Sequence, residues 1–258
     1  MDNVNSGSTQ TDADTTTQSG SVVSNGETLE ISAGVSSSAV TVTSGGVVSV
    51  SGTLSGASVS GGEVDVYSGG TVSAASVSDG GSVFVEDGGA SVSASVGSGG
   101  YLEVDAGGTA TGTQVSSAGI LDLTDGGVAS GTTLTNSATL YAGSGATAVG
   151  TIVQDGASLQ VQQGGSASGT VQQGGTTTIF AGASATDTTV TGGAFNLVES
   201  GTATGLTVGS NGTVTVASSA TVVNATVTSG GVVSVSGTLS GASVSGGEVD
   251  VYSGGTVS

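Results

Sequence analysis

Apolar residues recur along this chain as pairs separated by one residue, apolar in nearly every copy, and the pairs return at steps of 16 to 19 residues. The first members are Leu29, Val48, Val64, Val83, Leu102, Leu121, Leu140, Leu159, Thr177, Phe195, Val214, Val233 and Val249, and each partner lies two positions further on. Between them stand Glu30, Ser49, Asp65, Phe84, Glu103, Asp122, Tyr141, Gln160, Thr178, Asn196, Thr215, Ser234 and Asp250. An apolar-x-apolar pair with a mostly polar centre is the period-2 signature of a short strand with one buried face. Its return at a nearly constant interval marks a stacked array, one coil per repeat.

Glycine usually sits two residues before each pair, as at Gly46, Gly62, Gly81, Gly100 and Gly119. These positions read as tight corners where glycine supplies positive φ and close backbone approach. A second apolar column at Val42, Val59, Val77, Val96, Val115, Leu134, Val153, Val171, Val190, Val208, Val227 and Val244 predicts another strand per coil, so two or three strands per coil are expected. Helix is disfavoured by 50 glycines, many β-branched residues and the lack of a 3.6-residue apolar stripe. The expected fold is all-β: a parallel β-solenoid (β-helix) of about 12–13 coils with 16–19 residues per coil. At about 4.8 Å per rung the array would run for roughly 60 Å. Small residues in the core at Ala142 and Thr177 predict local thinning.

Two steps of 16 residues, Val48 to Val64 and Val233 to Val249, are expected to shorten corners and keep the strands. Thr41–Ser73 is identical to Thr226–Ser258, 33 residues repeated at an offset of 185, and the identity runs into the last residue. The reading is therefore a repeat array over 21–258, cut from a longer tandem series, behind a disordered polar tail or linker over 1–20.

Charge narrows the partners. There is no Lys, Arg, His, Pro, Cys or Trp, and 19 carboxylates give a net charge of −19. Without cations the chain repels phosphate, so binding to nucleic acid or anionic lipid is disfavoured. Cysteine chemistry is excluded, and no apolar run is long enough for a membrane helix. The start Met1-Asp2-Asn3-Val4 lacks the basic and apolar regions of a secretory signal, so neither signal nor anchor is read in this chain.

Units such as Gly107-Gly108-Thr109-Ala110-Thr111-Gly112-Thr113-Gln114-Val115 and Gly201-Thr202-Ala203-Thr204-Gly205-Leu206-Thr207-Val208, each followed by a Gly-x-apolar-x-apolar segment, resemble the repeats of AIDA-type autotransporter adhesin passengers. The resemblance covers about residues 21–258. It implies a bacterial surface protein whose right-handed β-helix mediates adhesion, self-association and biofilm formation, in some members with heptose on Ser or Thr.

Chemistry-bearing candidates are few. Glu103 and Asp122 are expected to be neighbours on successive coils, where two carboxylates could serve a retaining glycosidase, share a cation, or simply form a solvated acidic face. Asp79-Gly80-Gly81, Asp87-Gly88-Gly89 and Asp125-Gly126-Gly127 read as turns, not calcium loops. Phe84, Tyr141, Tyr67, Tyr101 and Tyr252 could offer rings to sugars, pack at corners or be isolated surface aromatics. With most nucleophile-activating and oxyanion-stabilising side chains missing, no catalytic residue, cofactor site or enzyme activity is expected. The expected function is that of a non-catalytic adhesin or self-association region at the bacterial surface, binding itself or surface and matrix glycans and proteins. The alternative is a passive stalk or extracellular fibre segment.

Overall fold

The structure, a computed structural model, describes Thr9–Asp12 and residues 19–258. The described residues contain strands, turns and bends and no helix. They divide into two compact units, residues 1–130 and 131–258, each a parallel β-solenoid.

In the first unit the coils that begin with Thr28–Ile31 through Tyr101–Val104 each carry a four-residue strand followed by two shorter ones. The four-residue strands Thr28–Ile31, Val47–Val50, Glu63–Val66, Ser82–Val85, Tyr101–Val104 and Ile120–Leu123 pair in parallel, residue for residue. Thr71–Ser73, Ala90–Val92 and Thr109–Thr111 belong to a second ladder, and Thr41–Thr43, Ser58–Ser60 and Ser76–Ser78 to a third. Three strands per coil is the upper of the two counts expected from the spacing. Alternation decides the faces. Leu102 and Val104 are fully buried while Tyr101 and Glu103 are half-exposed, and the same pattern holds in neighbouring coils.

The second unit repeats this plan with four-residue strands at Thr139–Ala142, Ser158–Val161, Thr176–Ile179, Val232–Val235 and Glu248–Val251. In two coils the corner before that strand is absorbed into one long strand, Thr189–Leu197 and Thr207–Val216, with a register irregularity between Val190 and Gly192.

The shortened coil behaves as its spacing predicts. Two residues separate Val47–Val50 from Thr53–Ser55, against four between Glu63–Val66 and Thr71–Ser73. Two separate Ser58–Ser60 from Glu63–Val66, against three between Ser76–Ser78 and Ser82–Val85. The corners lose residues and every strand survives.

Three expectations are corrected. The second column runs through Gln172, not Val171: Ile152 pairs with Val171 and Val153 with Gln172, so Gln172 is fully buried and Val171 only partly. The coil loses its residue after this strand, and backbone register overrides side-chain polarity. The glycine before each pair is also not generally the positive-φ residue. At the corner Gly99-Gly100 the positive φ, 69°, belongs to Gly99. Gly100 is needed for close approach, because a Cβ there would collide with the Val77 carbonyl oxygen of the coil before. Lastly, Thr9–Asp12, within the segment read as a tail, forms a strand in register with Thr28–Ile31. A parallel ladder needs only backbone groups, so polar sequence does not prevent pairing. Residues 1–8 and 13–18 of that segment lie outside the described residues.

The duplicated 33 residues separate sequence from context. Val59, Val66 and Val72 are fully buried in the first copy, whereas their identical counterparts Val244, Val251 and Val257 are 51%, 53% and 45% exposed. The first three are covered by the coil carrying Val77, Val85 and Ser91. Burial here is conferred by the neighbouring coil and not by the strand itself.

Candidate functional site

The outward positions between the buried pairs form one straight column in each unit. In the first, Glu30 pairs with Ser49, Ser49 with Asp65, Asp65 with Phe84, Phe84 with Glu103 and Glu103 with Asp122. In the second, Tyr141, Gln160, Thr178, Asn196, Thr215, Ser234 and Asp250 follow one another in the same way. The two columns differ in chemistry. Fourteen of the 19 carboxylates precede residue 131, so the first face is acidic while the second is mostly hydroxyl and amide.

Glu103 and Asp122 are brought together as expected, and a side chain that no spacing pointed to joins them. The Tyr101 hydroxyl donates to Glu103 Oε2 at 2.7 Å and lies 3.1 Å from Asp122 Oδ2. Tyr101 reaches both because it is two residues before Glu103, on the same outward face, and one coil below Asp122. Burial, then hydrogen bonding to Glu103 and the charges of both carboxylates, push its phenol well above the usual tyrosine range. Burial raises Asp122 as well, with the charge of Glu103 acting in the same direction against the Tyr101 hydrogen bond.

Phe84 meets Tyr101 edge to face, with ring centroids 6.1 Å apart and planes at 61°. These two aromatics are therefore a pair and not isolated rings. On the coil below, burial and the neighbouring Glu63 push Asp65 up to about 6, with Glu86 adding to the shift. Tyr67, 43% exposed, is raised chiefly by the charge of Asp65. The result is a sheet face on which carboxylates crowd one another around three rings with no cation to relieve them.

Among the described residues no group of three or more His, Cys, Asp or Glu is arranged to hold a metal ion. Glu103 and Asp122 remain a pair whose shared partner is a phenol. Asp79 and Asp125 take positive φ, as does Gly88, and all three Asp-Gly-Gly runs are turns at coil corners.

Buried threonines also escaped the sequence pattern: Thr113 in the first unit, and a column of Thr132, Thr151, Thr170 and Thr188 in the second, are buried with unpaired hydroxyls. The Gly-Thr dipeptides at 112–113, 131–132, 150–151 and 169–170 are their only trace in the sequence.

Short three-stranded coils, stacked in parallel and in register, define a β-solenoid repeat protein. No protein-family model and no curated protein matches the chain. Among solved structures it is similar to the crystal structure of a TibC-catalysed hyper-glycosylated fragment of TibA, residues 55–350, at 30% identity and a TM-score of 0.77. The match covers 93% of this chain and 98% of that fragment. The chain belongs to the same family as that fragment, the β-solenoid passengers of autotransporter adhesins.

Proposed function

We propose that this chain is a non-catalytic repeat region of an AIDA-type bacterial surface adhesin. Copies on neighbouring cells associate with one another, or attach to surface and matrix glycans and proteins, and biofilm formation follows. The observation that carries this reading is repetition on the surface. Outward side chains, all but Phe84 carrying a polar group, recur at strand spacing along the column of each unit, so that weak contacts made once per coil sum to strong avidity.

The family supports a place at the bacterial cell surface or outside the cell, and no helix among the described residues is long and apolar enough to cross a membrane. The hyper-glycosylation of the TibA fragment supports O-glycosylation of exposed Ser and Thr here. A sequence without Lys, Arg, His or Cys supports the absence of catalysis.

One observation favours the passive stalk. Copies that each carry a charge of −19 and no cation repel at close range. Beads coated with the chain distinguish the two. For an adhesin, aggregation is weak near 10 mM salt and increases toward 150 mM, as the Debye length falls from about 30 Å to about 8 Å. Beads that stay dispersed at every salt concentration, and that bind no cell surface, leave the stalk.

A further inference from the structure

A cleft of about 430 Å³ opens at a corner of the second unit, lined by Thr135, Asn136, Gln154, Asp155 and Gln173. Its size falls in the range of small-molecule sites. Register builds it. Leu134 pairs with Val153 and Val153 with Gln172, so the next residues, Thr135, Gln154 and Gln173, stand above one another on three successive coils about 4.8 Å apart. One position further, Asn136 and Asp155 form a second short ladder that ends at Gly174. Glycine keeps that end open, because a Cβ at Gly174 would collide with Asp155 Oδ1.

The backbone of this corner is already satisfied: Gln154 N donates to the Leu134 carbonyl at 3.0 Å and Gln173 N to that of Val153 at 2.9 Å. Among the described residues, the side chains of Asn136, Gln154, Asp155 and Gln173 make no hydrogen bond to the protein. Three carboxamides and one carboxylate therefore face solvent across one cleft, offering six N–H donors and several acceptors. The concentration is local, since six of the nine glutamines in the chain lie between residues 154 and 173.

We infer that this cleft is a subsite for a neutral saccharide, an inference that rests on the adhesin reading. A planar amide donates and accepts side by side, which matches adjacent hydroxyls of a pyranose ring. Amides stacked at strand spacing can address hydroxyls along one or two rings. Asp155 can accept from a further hydroxyl and, in a chain without cations, repels carboxylated or sulfated sugars. No aromatic ring lines the cleft, so affinity per site is low and attachment depends on several copies acting together.

Saturation-transfer NMR on the full chain tests this, with lactose, maltose, cellobiose and N,N′-diacetylchitobiose as neutral probes and sialyllactose as the anionic control. At least one neutral disaccharide should receive saturation with millimolar affinity, and sialyllactose less. The double variant Gln154→Ala/Gln173→Ala should weaken that binding by roughly tenfold or more, the loss of two good hydrogen bonds. Glu103→Gln, on the other unit's face, should leave it unchanged. Both glutamines are at least partly exposed, and an unaltered melting curve confirms that the variant folds. Saturation of none of the neutral sugars, equal binding by the double variant, or preference for sialyllactose overturns the inference. Bead aggregation separates the two readings: aggregating beads without sugar binding refute the cleft and spare the adhesin, while sugar binding without aggregation supports the cleft and refutes self-association.

Discussion

Thr151 is fully buried with its hydroxyl unpaired, between Thr132 and Thr170 in the same state. Stacked hydroxyls at coil spacing, about 4.8 Å, stand too far apart to bond to one another. Each is a polar group removed from water without compensation. Thr151→Val keeps the branched shape and removes the hydroxyl, so it should raise stability by about 1 kcal/mol in urea unfolding. A loss of stability instead would show that the hydroxyl has a partner. Inward valines and leucines are readable in the sequence because their polarity agrees with their position. Gln172 and the threonine column are not, because the ladder fixes which residue points inward and tolerates a polar one.

A four-residue strand with two buried residues cannot hold itself together, and its register comes from the coils on either side. Period-2 alternation at a nearly constant step made these strands, and the neighbours across them, legible down to the pairing of Glu103 with Asp122. The Tyr101 bridge was not legible, because it depends on the reach of one side chain across a coil and not on any period. Crowding on this face has a consequence for pH. Asp65 has an ordinary pKa of 3.8 and is pushed up to about 6 in the folded chain, and Asp122 moves in the same direction. Below about pH 4 Asp65 is neutral in both states. Between about 4 and 6 the unfolded chain ionises first, so stability falls as pH rises through that window. The fold should therefore be more stable at pH 4 than at pH 7, and Asp65→Asn should flatten the difference by about 1 kcal/mol, allowing for screening at this half-exposed site. Thermal melts across the window test this, and stability that climbs with pH, or an Asn variant with an unchanged profile, contradicts it.

For the whole molecule the governing facts are a charge of one sign and repetition. Carboxylates are concentrated in residues 1–130, so the acidic face and the amide cleft belong to different units and are separable by substitution. Composition alone gives the charge of −19 and the lack of Lys, Arg, His and Cys. The cleft stayed hidden because it depends on which corner residues coincide on three coils and on a glycine that leaves room beside them.

Parallel stacking in register underlies every one of these readings. Spin labels on cysteines replacing Glu30 and Asp122, in a chain with no cysteine of its own, measure it directly within the first unit. The two positions are 92 residues apart in sequence and five rungs apart in the ladder, so their Cα atoms should lie about 24 Å apart. A narrow distance distribution near that value, within the reach of the labels, is the predicted result. A broad distribution, or a narrow one displaced by several rungs, would contradict it.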